Sequence, residues 1–260
     1  MATLRVDYLV ATYDLAAVEA HLPAIAGAVI RTPEAGKHLA YRGYWCADTR
    51  RAFVGDDGFR VMVSVTSSPA HAAALAIPRL ETLSIARIDV QTTFVSRDAD
   101  ALIKACEPSK RYQAFRITPV NKGGCTLYIG SPKSDKRLRV YNKSAESGEM
   151  PESGEYVRFE LQLRDDYAER AFTALRGGGL AGWYLHTLKV MIDPFTFSIV
   201  RDSINDVEEY RADAVVCEDW AQRRILWVER SVIPALKRLF AARPDYLDIF
   251  LKLLYDATRQ

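Results

Sequence analysis

Two segments of this chain, one near its N-terminus and one in its middle, begin with the same pattern of residue types. "RVDYLVATY" (5–13) starts with an arginine, an apolar residue and an aspartate, and so does "RIDVQTTF" (87–94). Both are rich in residues that favour strands, and each precedes a stretch typical of a helix, with Asp14 opening the first and Asp98 or Asp100 the second. The pattern therefore predicts two related strand-helix units.

Strand-like segments follow each unit, and a turn at Asp57-Gly58 separates two of them in the first. In the second, we expect strands over 87–94, 125–131, 137–142 and 156–164 to lie side by side. The fold class is therefore α+β, a curved and mostly antiparallel sheet of two related β-α-β-β halves with helices on one face. Chance similarity between two strand starts is the alternative to a duplication.

The character of the chain changes near residue 165, after which helical periodicity dominates and makes the C-terminal third helical. Amphipathic patterns predict helices over 218–240 and 244–258. The predicted domains are a duplicated α+β domain at 1–165, with halves at about 1–80 and 81–165, and a helical part at 166–260 packed on it.

The charges of the chain nearly balance, since 35 lysines and arginines face 33 aspartates and glutamates. Binding of nucleic acid would therefore depend on local clusters of cations. The four cysteines are widely spaced, which disfavours a zinc knuckle and is typical of free thiols in a reducing compartment. Without a signal-like or membrane-spanning apolar segment, we expect a cytoplasmic protein that contacts no membrane.

Three of the predicted strands each carry one polar face, because side chains in a strand alternate between its two sides. "RLRVYNK" puts a tyrosine among cations, "YVRFELQLR" alternates polar and apolar residues, and "RIDVQTTF" does the same. The three polar sets are Arg137, Arg139 and Tyr141; Arg158, Glu160 and Gln162; and Arg87, Asp89, Gln91 and Thr93.

These residue types have two interpretations. If the polar faces coincide, Tyr141 is a candidate nucleophile on phosphorus, because cations or a divalent metal can polarise its phenol. Asp89 and Glu160 would then suit Mg²⁺ or Mn²⁺, which prefer oxygen ligands. Alternatively, the sheet has an ordinary solvated face, on which a cross-strand pair such as Arg139 with Glu160 adds little stability.

The run "GCTLYIGSPKSDKRLRVYNKSAE" (124–146) resembles the replication initiation factor family, the rolling-circle initiators of plasmids and phages with related transfer relaxases. The strands "VRFELQLR" and "ARIDVQTTF" match two further family motifs, R-x-E and R-x-D, in the same order. The residues that carry the resemblance are Gly124, Thr126, Tyr128, Gly130, Ser131, Ser134, Arg139, Tyr141, Lys143 and Glu146 in the first motif, with Arg158, Glu160, Arg87 and Asp89 in the others.

The resemblance implies a protein that nicks and rejoins one DNA strand at an origin through a tyrosine linked to the 5′ phosphate. It implies that Tyr141 is the nucleophile, with Tyr128 as the rival tyrosine of the same motif. The implied phosphate-contacting cations are Arg139, Lys143 and Arg158, and the implied ligands of Mg²⁺ or Mn²⁺ are Asp89 and Glu160, with Asp7 as a further ligand if the two R-x-D strands are neighbours.

The sequence departs from the family pattern at two places. Asn142 stands where the family usually has aspartate, and Gln91 or Thr93 lies near where many members carry a second acid. Both changes would weaken metal binding, because they remove negative charge from oxygen ligands. The alternative function is therefore an origin-binding protein of a phage or plasmid that recruits replication proteins without cutting.

Further motifs limit the chemistry and the partners. No His-apolar-His pair occurs, which disfavours a two-histidine relaxase site. No G-x-x-x-x-G-K-[ST] motif occurs either, so a host helicase would have to unwind the DNA. The expected partners are origin DNA, single-stranded or as a hairpin, and that helicase; whether a second copy of the chain forms a homodimer stays open.

Overall fold

A single sheet of ten strands organises the computed structural model, which describes residues 3–30, 33–38, 41–46, 51–117, 124–204, 233–244 and 246–247. Each pair of neighbouring strands is antiparallel. The strands are β1 (Thr3–Asp14), β2 (Pro33–His38), β3 (Tyr41–Cys46), β4 (Ala52–Asp56), β5 (Arg60–Thr66), β6 (Ser84–Ser96), β7 (Ala114–Ile117), β8 (Thr126–Ile129), β9 (Lys136–Asn142) and β10 (Glu155–Arg164).

Helical segments connect and follow these strands. The helices are α1 (Leu15–Val18), α2 (Leu22–Val29), α3 (Ser68–Ala76), α4 (Ala99–Ala105), α5 (Lys143–Ser147), α6 (Asp165–Arg176), α7 (Leu180–Lys189), α8 (Pro194–Ser203) and α9 (Ile233–Ala242), with a 3-10 turn at Glu19–His21. The expected α+β class with a mostly antiparallel sheet is confirmed. Much of the predicted helix over 218–240 and most of that over 244–258 lie outside the described residues.

The strand order is β2-β3-β4-β5-β1-β6-β10-β9-β8-β7, so the first strands of the two predicted halves lie side by side at the centre. Each half starts with a strand, passes through a helical segment and returns through four strands, the last of which pairs with the first. Each half therefore has five strands, whereas a β-α-β-β half has three and the sequence predicted four in the second half. An internal duplication would produce this topology, and the duplication itself stays a prediction.

The two helical openings differ from one another. In α4, the Asp98 side chain accepts a hydrogen bond of 2.8 Å from the backbone N–H of Ala101, as an N-cap should. Asp14 precedes α1 without a side-chain capping bond, and the predicted first helix is divided into α1, the 3-10 turn and α2. Pro23 lies in the first turn of α2, where the N–H that it lacks would have no partner within the helix. The same proline cannot lie in the interior of one long helix, so the predicted helix is divided.

The apolar faces of the strands and the helices on them form one core. In β9 and β10, Leu138, Val140, Phe159 and Leu161 are fully buried. Helix α6 packs against β6 and β10, and α4 packs against β9. The Tyr184 hydroxyl of α7 donates a 2.8 Å hydrogen bond to a carbonyl of β10. The core thus fixes one face of the central strands and leaves their other face for polar side chains.

The chain divides into two compact units, Met1–Tyr210 and Arg211–Gln260. The first contains the whole sheet and helices α1 to α8, and the second contains α9. The predicted boundary at residue 165 stays a prediction. Among the described residues, no helix is long and apolar enough to cross a membrane.

Candidate functional site

A pocket of about 390 Å³ opens on the polar face of the central strands. All seven residues that the sequence assigned to catalysis or metal binding line it, together with six others. The lining residues are Asp7, Tyr8, Thr66, Ser67, Arg87, Asp89, Arg139, Tyr141, Lys143, Glu146, Arg158, Glu160 and Gln162. The structure brings these side chains together, while the role of each stays a prediction.

Strand register explains why these residues meet. Tyr141 of β9 lies opposite Arg158 of β10, and Arg139 lies opposite Glu160. On the other edge of β10, Gln162 lies opposite Asp89 of β6. Because side chains alternate along each strand, all of these residues point to the face opposite the core. The register therefore shows that the polar faces of β6, β9 and β10 are one face of the sheet, which is the condition for Tyr141 to be a candidate nucleophile.

Tyr141 is held between two guanidinium groups. An Arg158 Nη1 donates a 3.3 Å hydrogen bond to the phenol oxygen, and the Arg139 guanidinium lies 3.9 Å from the ring centroid. Only 3% of Tyr141 is exposed. Burial, and then the negative charge of Glu160, raise the pKa of the Tyr141 phenol well above its usual range. The phenol is therefore protonated at neutral pH, and its reaction requires further positive charge or a base.

The three candidate ligand carboxylates each face an arginine. Asp89 accepts two hydrogen bonds from Arg87, at 2.8 and 2.6 Å. Burial, opposed by Arg87, raises the pKa of Asp89 to about 6. Glu160 lies 3.8 Å from an Arg139 nitrogen and accepts a 3.0 Å hydrogen bond from Gln162.

Asp7 belongs to the same arrangement through Arg158. One Asp7 oxygen lies 3.9 Å from Arg158 Nη1, the same nitrogen that bonds the phenol of Tyr141. Asp7 also lines the pocket from β1, which lies beside β6, so the two R-x-D strands are neighbours. The condition under which the sequence predicted Asp7 as a further ligand is met, although binding itself stays a prediction.

The donor set suits a hard divalent cation, because it consists of carboxylate oxygens with an amide beside them. Within the part of the chain that the structure describes, however, no three acidic, histidine or cysteine side chains are gathered closely enough to form a metal cluster. Both Asp89 oxygens are engaged by Arg87. Metal binding would therefore require at least this arginine to move away from its carboxylate.

Helix α5 adds a second pair of charges to the pocket. Lys143 donates a 2.6 Å hydrogen bond to Glu146, and Arg139 lies 3.4 Å from the other oxygen of the same carboxylate. Arg139 thus lies between Glu146 and Glu160, while its buried Nε has no hydrogen-bond partner among the described residues. An unpartnered buried donor in a pocket is costly unless a ligand oxygen accepts from it.

Asn142 corrects one expectation. Its side chain is buried away from the pocket, where it accepts from the backbone N–H of Ala145 at 2.9 Å and caps α5. Its amide also donates a 3.2 Å hydrogen bond to Asp100 of α4. The asparagine therefore removes no ligand from the pocket. Thr93 and Gln91 do lie beside the site. Arg158 Nε donates a 2.9 Å hydrogen bond to the Thr93 hydroxyl, and that hydroxyl donates a 2.8 Å hydrogen bond to the side-chain oxygen of Gln91.

Tyr128, the rival nucleophile, lies outside the residues that line the pocket. It belongs to β8 and faces Arg139 across the β8-β9 pair. The guanidinium of Arg137 lies 4.0 Å from its ring centroid. Tyr141 shares a pocket with the three candidate ligand carboxylates and Tyr128 does not line it, so geometry favours Tyr141.

The sequence interpretation missed Tyr8, which lines the pocket next to Asp7. Consecutive strand residues normally point to opposite faces, but the β1-β6 register shifts between Val6 and Tyr8, leaving Asp7 as an extra residue. The burial of both Val6 and Leu9 indicates the bulge. These residues are three positions apart, so in an uninterrupted strand they would point to opposite faces. This bulge lets Asp7 and Tyr8 reach one side.

Ser67 was also missed, and its backbone is strained. Its φ of 63° is unfavourable for a residue with a side chain, and its N–H donates a 2.7 Å hydrogen bond to the carbonyl of Asp7. The strain therefore lies where β5 leaves the sheet, directly beside the bulge. Sequence patterns give no signal for it.

An antiparallel sheet that presents a buried tyrosine, four carboxylates and several arginines in one pocket defines a class of protein suited to phosphoryl transfer. The model of the replication initiation factor family matches residues 86–254, which is more than half of the chain. The chain therefore belongs to the replication initiation factor family, as its motifs indicated.

Two known proteins resemble the chain, one in sequence and one in fold. The chain is 31% identical over 102 residues to a Bacillus subtilis (strain 168) protein named as a candidate DNA relaxase, NicK; the match covers 34% of this chain and 28% of that protein. The chain thus spans little more than a quarter of the length of this relative. A solved rolling circle replication initiator protein from Geobacillus stearothermophilus shares the fold, with a TM-score of 0.58 and 20% identity over 74% of this chain and 86% of the other.

Proposed function

We propose that this protein nicks and rejoins one strand of DNA at a replication origin, with Tyr141 as the covalent nucleophile. The observation that carries the proposal is the contact of Arg158 with both the Tyr141 phenol and Asp7, which joins the tyrosine to the carboxylates of the pocket. Membership of the replication initiation factor family supports the biological setting, the start of rolling-circle replication of a phage or plasmid in the cytoplasm.

The reaction exchanges one phosphate ester for another. The Tyr141 oxygen attacks the scissile phosphorus, the bond from phosphorus to the 3′ oxygen breaks, and the 3′ oxygen leaves as a hydroxyl with the proton of the phenol. The 5′ phosphate stays on Tyr141. Rejoining is the reverse attack by a 3′ hydroxyl, so neither direction requires a nucleotide cofactor.

Cations of the pocket would act on the charge that develops at phosphorus. Arg139 and Arg158 both contact Tyr141, so either guanidinium would reach a phosphate oxygen while the phenol attacks. The buried Nε of Arg139, which has no hydrogen-bond partner among the described residues, would gain one from a phosphate oxygen that reached it. Lys143, now paired with Glu146, adds a third cation at the rim of the pocket.

Asp89 and Glu160 are the residues that would hold Mg²⁺ or Mn²⁺, with Asp7 as a further ligand. Such an ion supplies positive charge that lowers the pKa of an attacking oxygen and neutralises a transferring phosphate. Arg87 would meanwhile exchange its bond with Asp89 for a phosphate oxygen or solvent. The carboxylates would then be available to hold the ion, and the released guanidinium would be available to contact DNA.

The test uses single-stranded oligonucleotides that tile the DNA of the element encoding the protein. Purified protein is incubated with them in Mn²⁺ or in chelator, and covalent adducts are resolved on a denaturing gel. We expect a metal-dependent adduct in the wild type and in Tyr128→Phe, its matched control, and none in Tyr141→Phe. An adduct that survives Tyr141→Phe moves the nucleophile elsewhere.

A non-cutting origin-binding protein is the second candidate. Two observations favour it, the lack of a preformed cluster of three ligands among the described residues and the pairing of each carboxylate with an arginine. Specific binding of origin DNA without any adduct would establish it. In either case binding should weaken steeply with salt, since phosphate contacts release counterions, and the chain would depend on a host helicase for unwinding.

A further inference from the structure

The pocket contains two tyrosines, and they come from opposite halves of the sheet. Tyr141 lies in β9 of the second half, and Tyr8 lies in β1 of the first half. The family match begins at residue 86, so it does not include Tyr8. Among the described residues of the first half, those that line the pocket are Asp7 and Tyr8 of β1, Thr66 at the end of β5 and Ser67 just after it. The family match therefore does not explain why Tyr8 lies in the pocket.

The carboxylates lie between the two tyrosines. In the strand order β1-β6-β10-β9, the outer strands carry Tyr8 and Tyr141, and the inner strands carry Asp89 and Glu160. Tyr8 lies directly opposite Asp89 in the register, and Tyr141 lies opposite Arg158, two residues from Glu160. Each phenol thus lies on its own side of the same acidic centre.

Each tyrosine also has a guanidinium on its ring. Arg87 lies 4.7 Å from the ring centroid of Tyr8, and Arg139 lies 3.9 Å from that of Tyr141. Both arginines also face a carboxylate, Asp89 for Arg87 and Glu160 for Arg139. The surroundings of the two phenols therefore have the same composition, a tyrosine, an arginine and an acid.

We propose that Tyr8 is a second nucleophile, which accepts the 5′ phosphate of a second cut while Tyr141 still carries the first. This inference rests on the proposed function. It would allow one copy of the chain to make both cuts of a replication cycle, without a tyrosine from another subunit. The β-bulge at Asp7 is then a functional feature, because it gives both a ligand and a nucleophile to one face.

The chemistry balances without a further reactant. After the first cut, Tyr141 carries a 5′ phosphate. The Tyr8 oxygen attacks the phosphorus of a second nick sequence, the bond to the 3′ oxygen breaks, and that oxygen leaves as a hydroxyl with the phenol proton. The new 3′ hydroxyl attacks the phosphotyrosine at Tyr141, joining the two DNA segments and releasing the Tyr141 phenol. Each step forms one phosphate ester and breaks another.

The test starts from protein whose Tyr141 is fully occupied. A first oligonucleotide with a short segment 5′ of the nick is cut, the released fragment diffuses away, and the adduct is purified free of unreacted protein. A second, end-labelled oligonucleotide of different length and with the same nick sequence is then added with Mn²⁺. No unoccupied Tyr141 is available in this preparation, so any new cut requires another nucleophile.

We expect the occupied wild type to cut the second oligonucleotide, to form a joined strand of hybrid length, and to carry the label on a peptide containing Tyr8. Occupied Tyr8→Phe should cut about 100-fold more slowly per molecule of purified first adduct, because it lacks the attacking oxygen. Occupied Tyr128→Phe is the matched control and should behave as the wild type.

Three outcomes would overturn the inference. If occupied wild type does not cut, or if occupied Tyr8→Phe cuts as fast, Tyr8 is not the second acceptor. If Tyr8→Phe is normal while Tyr8→Ala weakens DNA binding, Tyr8 is a binding residue only. A wild type that never forms the first adduct is a different result, because it removes the proposed function and this inference with it.

Discussion

The two halves of the sheet follow the same path but differ in what their strands carry. In β10 the polar residues Arg158, Glu160 and Gln162 alternate with buried apolar ones. In β5, which occupies the corresponding place beside β1, residues 61–65 are buried without alternation. A strand buried on both faces contributes to the core, whereas an alternating strand leaves one face for chemistry.

The connections that lead into β5 and into β10 also differ between the two halves. A tight turn joins β4 to β5, where Asp57 caps its own loop by accepting from the N–H of Arg60 at 2.7 Å, and Gly58 adopts a φ of 88°. Between β9 and β10 the chain instead forms α5, which brings Lys143 and Glu146 to the pocket. The second half thus supplies most of the residues of the site, and the first half contributes the few that come from β1 and from the end of β5.

The largest effect should come from a carboxylate of the second half. Glu160→Gln removes the charge that faces Arg139, and we expect nicking to fall by about 10²- to 10³-fold. Asp7→Asn in the first half is the matched change and should cost roughly tenfold, because the Asp7 side chain is 31% exposed and that of Glu160 only 5%. The measurement is the initial rate of adduct formation in Mn²⁺, with circular dichroism as a control for folding.

An equal loss in both variants would contradict the division of labour between the halves. A larger loss in Asp7→Asn would reverse it and make β1 the main contributor of negative charge.

Asn142→Asp should have the next largest effect, on stability rather than on chemistry. The new carboxylate would lie against Asp100, which now accepts from the Asn142 amide at 3.2 Å. We expect the free energy of unfolding to fall by about 1–3 kcal/mol at pH 7, as for a buried hydrogen bond replaced by an unfavourable contact. Urea unfolding of the variant and the wild type at pH 7 measures this cost.

A stabilising Asn142→Asp would show that Asp100 can be neutral or can move away. An increase in metal-dependent nicking without any change in stability would restore Asn142 to the role that the sequence first suggested.

Glu146→Gln should have the smallest effect. Burial raises the pKa of Glu146, but Lys143 and Arg139 outweigh it, so the net direction is downward. Folding lowers the pKa of such a carboxyl, so its charge stabilises the folded state at pH values above the pKa of the unfolded state. This stabilisation is lost as the pH falls through the pKa of the folded state. Because Glu146 is well exposed, we expect at most about 1 kcal/mol at pH 7.

Thermal unfolding of both proteins from pH 7 to pH 3 measures this contribution, which should also fall in 1 M salt. A difference that stays constant down to pH 3 would show that α5 is held by packing rather than by its charges.

Alternation along the strands was enough to predict the sheet and most of its polar face. It placed Arg158 and Glu160 on one face of β10, opposite the buried Phe159. The same alternation puts Asn142, the neighbour of Tyr141, on the buried face of β9. Tyr8 could not be found this way, because the bulge at Asp7 changes the phase of β1. Bulges depend on pairing with a neighbouring strand, which a single segment does not specify.

The number of strands and the strained backbone of Ser67 could not be predicted from the sequence, because both depend on how neighbouring segments pack together. Residues 33–38 and 41–46 form strands although glycines and charges weaken their local preference, since pairing with neighbours decides the outcome. The positive φ of Ser67 is imposed by the connection from β5 to α3. The motifs of the second half were predictable because chemistry restricts their residue types directly.

The most direct test of the central claim is to identify the residue that carries DNA after a single cut. Wild-type protein is trapped with one equivalent of oligonucleotide, digested with protease and nuclease, and analysed by mass spectrometry. We expect a nucleotide phosphate on the peptide containing Tyr141. Modification of Tyr128 or of another residue in place of Tyr141 would contradict the account.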